Sequence, residues 1–536
     1  MKKIKKKDIV LYLVMLTFCI IVCAPLLQMH IASDTYNFMD LGYFQYPSQY
    51  FLKDARIIST LFTYLAGILN LDYQVFIVGM EVLAVIIASF SIYILYKTIG
   101  KKISENIYSM NLKNSIILMA ITIIIFNCMS LEYFLYAECA VMCLSVLLSI
   151  IAAKIFIEEK NKHKYVKTLL ILTLATFCYQ GSINIFITLV TLLLIIDKSK
   201  DNIKENIKQF IIAGIIFVVS EIVNIICMYL INNFMGSEQE RIAGNVIIRN
   251  ILLFNPLMKF IIENVFILNF NLWPSMIIPI FIGISIILIL CSKKKIRGLI
   301  EYVFLILVAV LASILPVFLM KSPGIEPRMV MSAGSIIGIS IIYLSYIFND
   351  EKSKIMQDII FVITMIFFIF NTINTIQIFS AHIATNKIDA NMGITIKYKI
   401  EKYENETGNN VTKALESSSY SHIISYLTRK DYLEGHGWGS SFILETYTDF
   451  GYIGVIVYSL ILGYLLMAIP RLLKKNTFIA SIVLISTLNI FIIPRAEALQ
   501  FLQFIITPQF WGAWIMCICG YQVVKIIINK YEMRKN

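Results

Sequence analysis

The chain has 536 residues, 58% of them hydrophobic and only 15% charged, with a mean hydropathy of +0.78, which excludes a soluble globular domain of this length. The formal net charge of +12 would suit a nucleic-acid partner in a soluble protein. Here the lysines stand in short runs between apolar segments, which is a topology pattern and implies membrane lipids, not nucleic acid, as partners.

In chain order, the lysine-rich start Met1–Asp8 runs into an apolar stretch like that of a signal peptide. No small-residue cleavage site follows cleanly, so it reads as an uncleaved first helix. Apolar stretches then recur as far as Val524. The basic clusters are Lys2–Lys7, Lys97–Lys102, Lys154–Lys167, Lys198–Lys208, Lys293–Arg297, Lys352–Lys354, Arg471–Lys475 and Lys530–Arg534. Placing all of them in the cytoplasm predicts an all-α polytopic protein of the bacterial cytoplasmic (inner) membrane, with about 14 spans and both termini cytoplasmic. The spans fall near 9–27, 73–96, 114–130, 136–157, 168–178, 182–196, 209–232, 275–291, 301–320, 329–348, 357–380, 452–468, 477–493 and 504–527. The pair broken at Gln180-Gly181 also allows one long tilted span, which would invert everything after it.

This arrangement gathers the polar loops on the extracytoplasmic side: His30–Arg56, Glu132–Glu138, Ser237–Arg249, Lys321–Arg328, Ala381–Phe450 and Pro494–Gln503. Loops carry chemistry more often than the elements they join. A transporter would place its ionisable groups near the bilayer midplane. The spans offer little there beyond Glu81, Glu221 and Asn224, so a lipid-linked oligosaccharide transporter is the lesser alternative. The ten cysteines lie in or beside apolar segments, with no CxxC pair and no histidine at ligand spacing. Neither a metal nor another cofactor is expected.

The first outer loop holds His30-Ile-Ala-Ser-Asp34, a tyrosine-rich stretch, and Lys53-Asp54-Ala-Arg56-Ile-Ile-Ser. A carboxylate held just outside the membrane can act as general base on a sugar hydroxyl, and a guanidinium can grip a lipid-borne phosphate bidentately. The same residues fit a plainer role, with Asp34 capping an interfacial helix and Asp54 pairing with Arg56 at the headgroup level. This loop resembles that of the GT-C membrane glycosyltransferases, in particular the bacterial Gtr-type glucosyltransferases that decorate O-antigen. The likeness takes in Glu132-Tyr-Phe-Leu-Tyr136-Ala-Glu138, Cys178-Tyr179-Gln180-Gly181-Ser182-Ile-Asn184, Lys321–Arg328 and Ile400–Gly408. Where that group has Gly-Arg, this chain has Ala55-Arg56. The resemblance implies Asp34 as the base, Arg56 and Arg328 on the donor phosphate, and a sugar carried on polyprenyl phosphate. On residue type alone, Arg328 equally fits a snorkelling side chain at a span boundary, and Tyr179 and Gln180 fit helix-break packing.

The last outer loop reads Arg429-Lys-Asp431-Tyr-Leu-Glu-Gly435-His436-Gly437-Trp438-Gly439-Ser440-Ser441-Phe-Ile-Leu-Glu445. Alternating glycines let a backbone approach a ligand closely ahead of a helix N-terminus. The block Gly437–Gly451 and the later Pro494-Arg495 resemble the Wzy O-antigen and capsule polymerases, over residues 416–536. His422, His436 and Glu445 are not spaced as a diagnostic metal set. Two segments follow: a glycosyltransferase-like body, 1–413, and a polymerase-like segment, 414–536. Both resemblances imply enzymes that handle polyprenyl-linked sugars and a lipid-linked or polymeric glycan acceptor. The expected activity is single-sugar transfer by Asp34, with Arg56, Arg328 and Arg495 on donor phosphate and Asp54, Arg429, His436 and Glu445 as acceptor or loop candidates, Arg429 alternatively joining Arg495 on a diphosphate. The alternative is polymerisation of diphosphate-linked repeat units.

Overall fold

A computed structural model describes residues 6–104, 106–109, 111–197, 203–236, 277–293, 295–314, 326–348 and 354–407, with a few positions between 459 and 467. The described residues are helical, with connecting turns and no strand. They divide into two units, Met1–Ile383 and Ala384–Asn536. In the second unit the helical positions Leu460, Tyr464 and Met467 are exposed and apolar.

The first unit is built from α1 (Lys6–Cys23), α2 (Ser33–Tyr46), α3 (Ile57–Ile68), α4 (Tyr73–Ile103), α5 (Leu112–Ile125), α6 (Cys139–Glu158), α7 (Lys164–Cys178), α8 (Asn184–Ile196) and α9 (Ile203–Met235). After these come α10 (Ile277–Cys291), α11 (Lys295–Ile314), α12 (Ile336–Ile347) and α13 (Lys354–Thr407), in the course of which this unit ends. Six of the described helical stretches are long and apolar enough to cross a membrane, and five shorter ones of 10–17 residues are equally apolar. The chain is a multi-pass membrane protein.

Local signals set the helix ends. Asp72 caps α4 by accepting from the Gln74 amide at 2.8 Å, and Asn111 caps α5 by accepting from the Asn114 amide at 2.9 Å. Without a hydrophobic force between helices in lipid, small residues permit close packing. α5 and α12 approach so nearly that a Cβ on Gly338 would lie 2.5 Å from the Ala120 carbonyl oxygen.

The break at Gln180-Gly181 is a reversal, not a tilt. Tyr179 is extended, and the freed backbone carbonyls of Ala175 and Tyr179 both lie 2.9 Å from Ser145 Oγ. The far ends of α7 and α8 come together, since Lys102, Lys164, Asp197 and Gln209 line one crevice of about 510 Å³. The connecting loops therefore alternate between two ends of the unit. One end carries Asp8, Lys97, Lys102, Lys164 and Asp197; the other carries the loops before α2, before α3, before α6, before α8 and before α12. Residues 57–72 fall between the expected first outer loop and the expected second span, and most of them form α3. At 12 residues α3 is too short to cross a bilayer, yet it is apolar and exposes Leu61, Leu65 and Ile68.

Candidate functional site

The site is assembled from loops remote in sequence. Leu52–Asp54 forms one tight turn, closed by the Ala55 amide donating to the Leu52 carbonyl at 2.9 Å, with Ala55 left-handed at φ 53°. That conformation explains a Gly-Arg pattern, because a Cβ there is strained and glycine's absence of one is not. The turn is held from outside. Asn232 Nδ2 donates to the Lys53 carbonyl at 2.9 Å, and Gln180 donates to the Asp54 carbonyl while reaching Asn224 at 3.2 Å. Gln180 and Asn224 thus position Arg56.

The Arg56 guanidinium lies 4.9 Å over the Tyr179 ring, 3.4 Å from Asp54 Oδ2 and 3.9 Å from Glu138 Oε1. These are long ion pairs, and the buried Nε finds no hydrogen-bond partner among the described residues. Close to Tyr179 as well, Arg328 lies 4.7 Å over the Tyr136 ring and is bound through its guanidinium to Glu132 and Tyr136. Its amide also donates to Glu132 Oε2 at 3.1 Å, while Tyr133 donates to its carbonyl. Tyr179 is held in place by Gly181, where an added Cβ would lie 2.6 Å from the Tyr179 ring.

Electrostatics bind these groups into one site. Burial raises the Glu138 carboxyl above its ordinary 4.5, against the lowering pull of Arg56 and with a small push from Asp34. Burial likewise raises the Tyr179 phenol, against the pull of Arg328 and Arg56. Burial works against the charge on Arg328, but Tyr179, Glu132 and Tyr136 outweigh it and hold the guanidinium firmly protonated. Asp34, in the first turn of α2, is half-buried. It is close enough to Glu138, Tyr46 and Tyr136 to oppose their ionisation, and its carboxylate makes no hydrogen bond or ion pair among the described residues. The geometry therefore offers a carboxylate uncommitted among the described residues, a second carboxyl that holds its proton to higher pH, and two arginines beside one buried tyrosine.

Of the residues picked out from sequence, Asp34, Asp54, Arg56 and Arg328 come together here. Arg429, His436, Glu445 and Arg495 lie outside the described residues, as does His422. Tyr179 and Gln180, read as helix-break packing, also touch the arginine cluster. Glu132, Tyr136 and Glu138 carry no role that their sequence alone assigns. The available signal was acids in a short loop between apolar helices, with Glu132 and Tyr136 four apart.

Comparison with known proteins bears on the other end of the chain. Residues 336–526 match the family model for O-antigen polysaccharide polymerase Wzy. No curated protein and no solved structure gives a significant match to the chain. The Wzy-matched segment begins at α12 and takes in α13, so it starts upstream of residue 414, inside the stretch likened above to glycosyltransferases. Its described helices pack directly against the site's scaffold. Asn371 Nδ2 donates to the Phe126 carbonyl at 2.6 Å, Phe379 meets Phe134, and Gly338 backs onto α5.

Proposed function

We propose that the protein is a membrane enzyme of cell-surface polysaccharide biosynthesis, a polymerase that joins polyprenyl-diphosphate-linked repeat units at the extracytoplasmic face. The observation that carries this reading is the Arg56–Tyr179–Arg328 cluster beside an uncommitted Asp34, in a chain whose residues 336–526 match Wzy. The basic residues at the opposite end of the unit support a cytoplasmic placement for that end. The arginine cluster then faces outward, where nucleotide sugars are absent and donor sugar must arrive on a lipid.

In the reaction we infer, Asp34 takes the proton from an acceptor hydroxyl of the incoming unit. The hydroxyl oxygen bonds to the anomeric carbon of the growing chain. The bond from that carbon to the diphosphate oxygen breaks, and the diphosphate leaves with the electron pair. Arg56 and Arg328 stabilise the charge that develops on it, Arg56 through donors that its own acids leave uncommitted. Glu138 can return a proton to the departing phosphate. Arg495 is assigned to the same diphosphate, and Asp54, Arg429, His436 and Glu445 to the acceptor side.

A second reading, transfer of a single sugar from a polyprenyl monophosphate in the Gtr manner, is favoured by one observation. The residues that carry that likeness, 34, 56, 132–138, 179–184 and 328, converge in the first unit. A deletion strain separates the two. Polymerisation predicts that surface polysaccharide collapses to single repeat units on a gel. Single-sugar transfer predicts long chains that lack one side-branch sugar, and that outcome would replace the polymerase reading.

A further inference from the structure

Behind the arginine cluster lies a buried acid–base pair that the reaction above does not use. Glu81, two turns into α4, has its Oε1 3.2 Å from His30 Nε2, with the two side chains 0% and 1% exposed. Glu81 Oε2 and His30 Nδ1 find no hydrogen-bond partner among the described residues. The Cys139 thiol faces the same carboxyl group. On its other side the His30 ring meets His382 of α13 edge-on, with centroids 5.3 Å apart.

A carboxyl inside a membrane span is costly and is commonly retained for function. Apolar side chains of similar volume in place of a buried pair generally cost no stability and can add some. Stability alone therefore gives little reason for Glu81 and His30. Their position gives a better one. His30 stands four residues before Asp34, and Cys139 directly follows Glu138, so Glu81 touches both segments that deliver carboxyls to the site. The contact to His382 extends the bridge to a helix of the Wzy-matched segment.

We propose that Glu81 and His30 form a positioning pair: a buried bridge that fixes the Asp34 loop against the start of α6 and so sets how Asp34 and Glu138 face the reacting hydroxyl and phosphate. This rests on the polymerisation reading. The test compares full-length variants expressed in a deletion strain, read by polysaccharide length on gels, with melting temperatures in detergent. In the double variant His30→Phe/Glu81→Leu, polymer should fall at least about tenfold while the melting temperature stays at or above wild type. Glu81→Gln, which can still accept from His30, should retain polymer within about threefold. Wild-type polymer from a folded double variant would overturn the proposal. If the double variant fails to accumulate, His30→Ala decides: wild-type chain length overturns the pairing, and shortened chains with an unchanged melting temperature support it. Asp34→Asn and Arg56→Ala run alongside. If both give wild-type chains, the polymerisation reading fails and the positioning role falls with it. If both abolish polymer while the folded double variant does not, only the positioning role is lost.

Discussion

The two ends of the first unit handle charge in different ways. At one end lysines meet acids in simple pairs: Lys97 with Asp8 at 2.9 Å, Lys102 with Asp197 at 2.6 Å and Lys167 with Glu159 at 2.8 Å. Those three ammonium groups have short partners, Lys101 stands 3.8 Å from Glu158, and the side chains of Lys101 and Lys167 are half-exposed. At the other end Arg56 and Arg328 lie on tyrosine rings, and Arg56 keeps its acids at 3.4 Å and 3.9 Å with Nε unpartnered among the described residues. Short pairs of that kind satisfy the charge of the lysines that make them. A planar guanidinium held on an aromatic ring with donors to spare is equipped to receive an anion.

The largest effect expected at the arginine end is on Arg328. Arg328→Ala should lower polymer formation by about 100-fold or more, as loss of a charge-stabilising donor does, and should free Glu132 and Tyr136. Arg328→Lys should recover only part, because an ammonium cannot both bind Glu132 and spread over the Tyr136 ring. Membrane vesicles supplied with lipid-linked repeat units would measure both.

Next in size is a pH effect at Glu138. Its folded carboxyl is raised above 4.5 by burial, so the stability it contributes is present below the unfolded value and lost as pH rises through the folded one. The wild-type melting temperature in detergent should therefore fall more between pH 5 and pH 8 than that of Glu138→Gln. Equal slopes would mean that Glu138 ionises as an ordinary surface carboxyl.

Smaller still, Ala55→Gly should stabilise the protein by about 1 kcal/mol, by removing a Cβ from a left-handed turn, and leave activity intact. Smallest is Lys167→Met at the opposite end, which breaks an exposed pair and should cost at most about 1 kcal/mol in a denaturant or thermal titration and leave chain length unchanged. A strong activity loss there would erase the distinction between the two ends.

How much of this was legible in the sequence follows from the range of each interaction. Span-length helices could be read because a bilayer demands long apolar runs, and Gln180-Gly181 marked the turn between α7 and α8 because the hydrophobic run stops there. α3 was missed because 12 apolar residues do not meet the spanning requirement. Asp34, Arg56 and Arg328 could be nominated as lone charges outside apolar stretches. The pairing of Arg328 with Glu132 could not, since 196 positions separate them and no local period links the two. Nor could the contacts of Tyr179, which depend on two other loops each bringing an arginine close to it. The left-handed turn at Ala55 was foreshadowed only by the Gly-Arg pattern of a resembling family, because alanine itself gives no such signal.

The most direct test is the length distribution of surface polysaccharide in a deletion strain carrying Asp34→Asn, with membrane expression verified. If the arginine end is the site of polymerisation and Asp34 its base, single repeat units alone should appear. A wild-type ladder from that variant would contradict it.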